Sequence, residues 1–150
     1  MAIGQRIKFI RNLRGLTQKE LGLAIGFTDR TSDVRIAQYE AEKRVPKERM
    51  IEDIARVLDV EPFSLDVPNI DTYIGLLHTL FAIEDMYGLK IGEIDGKLCL
   101  KVDINSDSHF ADRLNDWRYQ AKKLSNGEIS LAEYNDWRLN YPASNVFNKK

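Results

Sequence analysis

A chain of 150 residues that is 43% hydrophobic, 9% aromatic and 30% charged is too apolar for a disordered polymer and long enough for one medium domain or two small ones. It has no apolar run of 18 residues and no signal-peptide core in Met-Ala-Ile-Gly-Gln-Arg, so neither a membrane-spanning helix nor export is expected; one cysteine, Cys99, excludes an intramolecular disulfide and a cysteine-built zinc site, which suits a reducing cytoplasm. The net charge of −1 divides into 11 Lys/Arg against 6 Asp/Glu over residues 1–50 and 11 against 17 over the rest, and the basic first third suits either an anionic partner or plain surface charge.

Ile3, Ile7, Ile10 and Leu13, with Phe9, recur at three-to-four spacing and predict an amphipathic helix over about residues 2–14, ended by Gly15. Thr17-Gln18-Lys19-Glu20 has the spacing of a capping box and opens a second helix with Leu21, Ala24 and Ile25 as its apolar stripe. Residues 27–33 have turn chemistry. A third helix follows from Val34 to about Ala41, buried through Ile36 and Tyr39, with Ser32 as N-cap and Asp33 in the first turn. Pro46 suits the first turn of a fourth helix, whose buried face is Met50, Ile51, Ile54, Val57 and Leu58. Residues 61–65 suggest a short fifth helix, with Phe63 and Leu65 closing the core. The expected result is a compact all-α domain of five helices over residues 1–66.

Asp66 to Asn69 reads as a linker, placed at 67–70, and a second domain over 71–150 should be a small α+β unit. It starts with a helix from about Asp71 to Tyr87. The period then changes to two, and Asp95-Gly96 is a two-residue hairpin signal. Leu89, Ile91, Leu98, Leu100 and Val102 share one face, with Lys90 opposite Lys101 on the other, so the hairpin should cover the helices beside it. Two helices complete the chain, about 107–124 and 130–140, the second opened by a capping-box spacing from Ser130 to Glu133. Asn-Asp-Trp-Arg occurs at 115–118 and 135–138, as if each helix set a Trp into a shared seam. The aromatic residues Trp117, Tyr119, Tyr134, Trp137 and Tyr141 fit a core or dimer interface better than a ligand pocket.

Enzymatic chemistry finds little support. His78 and His109 stand alone, and His78 reads as a core residue rather than a ligand; no HExxH, Gly-rich phosphate loop or nucleophile elbow occurs, so neither metal nor cofactor is expected. The informative feature is the pair of helices in residues 17–41. A helix–turn–helix needs small residues where its helices touch, for which Gly22 and Ala24 are candidates, and polar groups at the start of the second helix to reach base edges.

The landmarks Leu16-Thr17-Gln18-Lys19-Glu20-Leu21, Gly26, Ile36-Ala37-Gln38-Tyr39-Glu40, Pro46 and Ile54-Ala55-Arg56-Val57-Leu58-Asp59-Val60 together resemble the Cro/CI-type (XRE, lambda-repressor-like) helix–turn–helix family over about residues 3–66. The resemblance implies a DNA-binding transcriptional regulator acting on double-stranded DNA as a homodimer, most readily a repressor; an antitoxin, whose residues 71–150 bind a toxin protein, is the alternative. It places the base-reading positions on Asp33, Val34, Arg35 and Gln38. Gln38 would pair with adenine, Arg35 with guanine and Val34 with a thymine methyl, while Asp33 meets cytosine or caps the helix. Phosphate contacts would fall to Gln18, Lys19, Arg30, Lys43, Arg44 and Lys47, though a lysine here serves solubility equally well. Arg11 and Glu40 would form a structural ion pair. The chain departs from the pattern in its turn, where Gly26 to Glu40 is about four residues longer than is usual.

Overall fold

The computed structural model describes residues 3–68, 70–102 and 108–142. Asn69 of the linker, Asp107 at the expected helix start and residues 143–150 at the end of the expected second domain lie outside the described residues. The chain forms two compact units. One comprises residues up to 69 together with those from 135 onward, and the other comprises 70–134.

In the first unit, α1 (Ile3–Leu13), α2 (Gln18–Ala24), α3 (Ser32–Glu40) and α4 (Glu48–Leu58) are followed by one 3-10 turn (Pro62–Ser64), which stands where a fifth helix was expected. Ile7, Ile10, Leu21, Ile36, Ile54, Leu58 and Leu65 are fully buried, at the helical spacings noted above. Gly15 adopts φ of +70° and stops α1. The Thr17 hydroxyl accepts from the Glu20 amide at 3.1 Å, and the Glu20 carboxylate accepts from the Thr17 amide at 2.7 Å. The Thr17 amide and then the Thr17 hydroxyl, each donating to the Glu20 carboxylate at 2.7 Å, hold the Glu20 pKa below the ordinary carboxylate value. Arg14 closes the other end of the domain, donating to the terminal carbonyls of α4 at Leu58 (2.8 Å) and Asp59 (2.9 Å).

Several boundaries differ from the sequence expectation. α3 starts two residues earlier than Val34, so Ser32 is a fully buried helical residue and not the cap. Amide bonds from Thr31 and Ser32 back to the Thr28 carbonyl form that turn, both at 3.0 Å. Pro46 is buried two residues before α4, whose N-cap is Lys47. Phe63 is exposed, and Leu65 alone of the expected pair enters the core. Ala24 faces outward; the small residue at the helix contact is Gly22.

The second unit holds α5 (Tyr73–Tyr87), β1 (Leu89–Ile94), β2 (Lys97–Val102), α6 (Ser108–Ser125) and the start of α7 (Leu131–Leu139). The Thr72 hydroxyl caps α5 by accepting from the Gly75 amide, and Gly88 at φ +69° ends it. Asp95 and Gly96, both at positive φ, make the tight turn between antiparallel strands. The register pairs Ile91 with Leu100 and Lys90 with Lys101, which places Leu89, Ile91, Leu98, Leu100 and Val102 on one face, with Glu93 across from Leu98. That face is covered only at the end away from the turn: Leu89 and Val102 are half-buried, while Ile91, Leu98 and Leu100 are exposed. The Tyr87 and Phe110 rings meet at 4.9 Å between α5 and α6. His78 is exposed, edge-on to Phe81, rather than a core residue.

The last helix is divided between the units. Its capping box forms as the spacing required, with Ser130 and Glu133 bonded in both directions. From Asn135 onward it belongs to the first unit, where Leu139 joins the core, its carbonyl accepts from the Glu61 amide at 3.1 Å and Asp136 accepts from Arg14 at 2.8 Å. The two compact units therefore divide within α7, at Asn135. The Trp117 indole donates to the Tyr134 hydroxyl in the second unit, and Trp137 packs on Tyr141 in the first. Among the described residues no helix is long and apolar enough to cross a membrane.

Candidate nucleic-acid interface

α2 and α3 pack so closely that a Cβ added to Gly22 would lie 2.5 Å from the Ser32 carbonyl oxygen. α1 crosses α3 equally closely: a Cβ on Gly4 would lie 2.1 Å from the Tyr39 carbonyl oxygen. The buried face of α3, with Ser32, Ile36 and Tyr39, is thereby fixed from both sides. On its other face Asp33, Val34 and Arg35 are exposed and Gln38 is half exposed.

The base of α3 is pinned by charge. Arg11 and Glu40 are buried and bonded twice, Nε to Oε1 at 2.6 Å and Nη2 to Oε2 at 3.1 Å. Arg11 also donates to the Leu16 carbonyl at 2.6 Å, and the Gln18 amide donates to Glu40 at 2.8 Å. One carboxylate thus ties together α1, the start of α2 and the end of α3. This holds Gln18 beside the outer face of α3, where a shallow depression is lined by Gln18, Asp33, Val34, Ala37, Gln38 and Lys43.

Not every expected residue lies there. The Arg35 guanidinium stacks 4.9 Å from the Phe27 ring centre, turned back onto the chain. Lys19 pairs with Asp29 of the lengthened turn at 2.8 Å, and that hydrogen bond, then the charge of Asp29, raises its pKa. Arg30, Arg44 and Lys47 are exposed but do not line the depression. Sequence reading missed Phe27 and Asp29 as partners, since contacts across a turn follow no fixed spacing; the extra turn residues were the one signal that Lys19 has a new neighbour. Asp33 sits in the first turn of α3, where its charge suits the helix dipole, with Thr31 as the N-cap.

A buried-backed second helix whose polar face stands clear of the body is the arrangement that reads DNA in the major groove. Residues 7–65 match the family model described as helix-turn-helix (HTH_3), and this segment is a helix–turn–helix domain of the Cro/CI type, a DNA-binding module of transcription regulators. Among solved structures, the chain is similar to the crystal structure of transcriptional regulator BswR, with 28% identity and a TM-score of 0.44 over 59% of this chain and 97% of that one. No curated protein matches the sequence.

Proposed function

We propose that the protein is a sequence-specific transcriptional repressor that binds double-stranded DNA as a dimer, each copy laying α3 in the major groove of one half-site. The observation that carries this reading is the convergence of Asp33, Val34, Gln38, Gln18 and Lys43 on one open depression over a helix whose opposite face is buried. Gln38 can take adenine through two hydrogen bonds, and Val34 can meet a thymine methyl. Gln18, Lys43, Arg44, Lys47 and Arg30 supply phosphate contacts. Arg35 leaves Phe27 to reach guanine. A cation–π contact at an exposed site is worth about 0.5–1 kcal/mol, and a bidentate guanine pair discriminates by about 1–3 kcal/mol, so the exchange is favourable.

Selection of bound duplexes from a random pool tests the proposal. The expected result is a palindromic consensus with half-sites about one helical turn, roughly 34 Å, apart, and affinity that falls steeply with salt. Gln38→Ala is expected to relax a single base position by about 1–3 kcal/mol while leaving the others intact. Unchanged specificity in that variant, or affinity indifferent to salt, contradicts the placement of α3.

The Lys19–Asp29 pair yields a separate expectation. Asp29 withdraws one positive charge from the face that meets phosphate. Asp29→Asn should therefore tighten binding to any duplex and steepen the logarithmic salt slope by about 0.9, one phosphate contact. Titrations at several salt concentrations measure both, and equal slopes in the two proteins would show that Lys19 stays away from DNA.

The antitoxin alternative draws on the exposed apolar side chains of residues 70–134, which suit a protein partner. A protein that co-purifies in fixed ratio with the full chain marks that alternative.

A further inference from the structure

A 15-residue helix that is apolar all round must be covered all round. α5 fits that description over its first eleven residues: Tyr-Ile-Gly-Leu-Leu-His-Thr-Leu-Phe-Ala-Ile, residues 73–83, carries no charge ahead of Glu84 and Asp85. No residue of α5 is buried. Leu76, Thr79, Leu80 and Ile83 are half covered, and the opposite stripe, Ile74, Leu77 and Phe81, lies exposed. The hairpin repeats the pattern. Its charged face, with Lys90 and Lys101, belongs in water, but the apolar face is also open, with Leu98 78% and Ile91 63% exposed. Throughout residues 70–134, Ala111 is the one buried hydrophobic side chain among the described residues. A unit of this size with so small a core cannot repay the entropy of ordering its chain.

From these observations we infer that the exposed stripe of α5 and the apolar face of the β1–β2 hairpin form the interface with a second copy of this chain. The inference rests on the dimeric reading above and assigns that dimer its surface. The area is sufficient. Ile74, Leu77, Phe81, Ile91, Leu98 and Leu100, with Tyr73, present on the order of 800 Å², which is what each partner of a stable protein–protein complex gives up. The α5 stripe of Ile74, Leu77 and Phe81 holds no charge, so a copy docking on it brings no like charge against it, as an isologous contact requires; on the hairpin face Glu93, across from Leu98, stands next to the turn. Both faces lie outside the helix–turn–helix segment of the chain.

Sedimentation of the full-length protein over a concentration series tests the assignment, with Leu98→Glu and Leu77→Glu compared with the parent. The parent is expected to be a dimer, and each variant should raise the dimer dissociation constant at least 100-fold while Lys90→Glu, on the charged face, leaves it unchanged. Far-UV circular dichroism shows whether the variants remain folded. Hydrogen exchange on the unsubstituted protein gives an answer that does not depend on the variants: dilution below the dissociation constant should accelerate exchange in residues 73–83 and 89–102 and leave α1–α4 unaltered. A parent dimer that both variants preserve, with exchange in those segments independent of dilution, overturns the assigned surface and leaves the dimer standing. A parent that is monomeric at every concentration overturns the dimeric reading as well. A different protein bound in fixed ratio, and lost in Leu77→Glu, shows the face to be a heterologous partner's and overturns the second-copy assignment.

Discussion

Glu40→Ala is expected to destabilise the first unit by about 3–5 kcal/mol, because it strands a buried guanidinium. Arg11 is 7% exposed and has no route to water that keeps its other bond, to the Leu16 carbonyl. The same substitution frees Gln18 from its 2.8 Å bond to Glu40 and removes the tie that holds α2 against α3. DNA affinity should therefore fall even at temperatures where the variant stays folded. Replacing both partners with apolar residues, Arg11→Met with Glu40→Leu, should recover most of the lost stability, since the desolvation cost of two ions disappears with the pair. It should not restore DNA binding, because Gln18 still lacks its anchor. Urea unfolding of the single and double variants, alongside a binding titration, separates these outcomes. A loss below about 1 kcal/mol in Glu40→Ala would mean that water reaches the pair and screens it.

Gly22→Ala is the second large effect. By helix propensity alone, alanine should stabilise α2 by about 1 kcal/mol. The structure reverses the sign, because the new methyl would sit 2.5 Å from the Ser32 carbonyl oxygen, and that oxygen belongs to a backbone held by the core. Relief requires α2 and α3 to separate, so a net loss of about 2–4 kcal/mol is expected. For a unit of this size that lowers the melting temperature by roughly 10–20 °C. Gly4→Ala should behave likewise against the Tyr39 carbonyl. Thermal unfolding followed by circular dichroism measures both, and a stabilised Gly22→Ala would show that the helices do not approach as closely as described. A shift of α3 also moves Gln38, so the surviving folded fraction should bind DNA less tightly.

The signals that sequence carried well were local ones. The capping boxes at Thr17 and Ser130 join groups three residues apart, and backbone geometry brings them together as soon as a helix starts. Asp95-Gly96 fixed the hairpin register for the same reason, since both residues tolerate positive φ. Ile36 and Tyr39 were legible as the buried side of α3 because their spacing matches a helical turn. The start of α3 was misjudged. Ser32 has the chemistry of a cap, but its close packing on Gly22 draws it inside the helix, and no propensity encodes that contact.

Other features were decided across long separations. Phe63 and Leu65 have similar hydrophobicity, yet only Leu65 is buried, because the 3-10 turn faces one inward and one outward. The final helix looked like part of the second domain by its order in the chain, but Leu139 fits the core of the first. Arg35 and Lys19 had the right chemistry for DNA, and it took the fold to show that each already holds a partner, Phe27 and Asp29. Sequence by itself determined where helices and the hairpin form and which side of each is apolar, since hydrogen bonding and side-chain period act within a few residues. Only the tertiary structure decided which apolar faces find cover and which are left open, because burial depends on neighbours that the chain supplies from far away, and among the described residues it leaves Ile74, Leu77 and Phe81 of α5 and Ile91, Leu98 and Leu100 of the hairpin exposed.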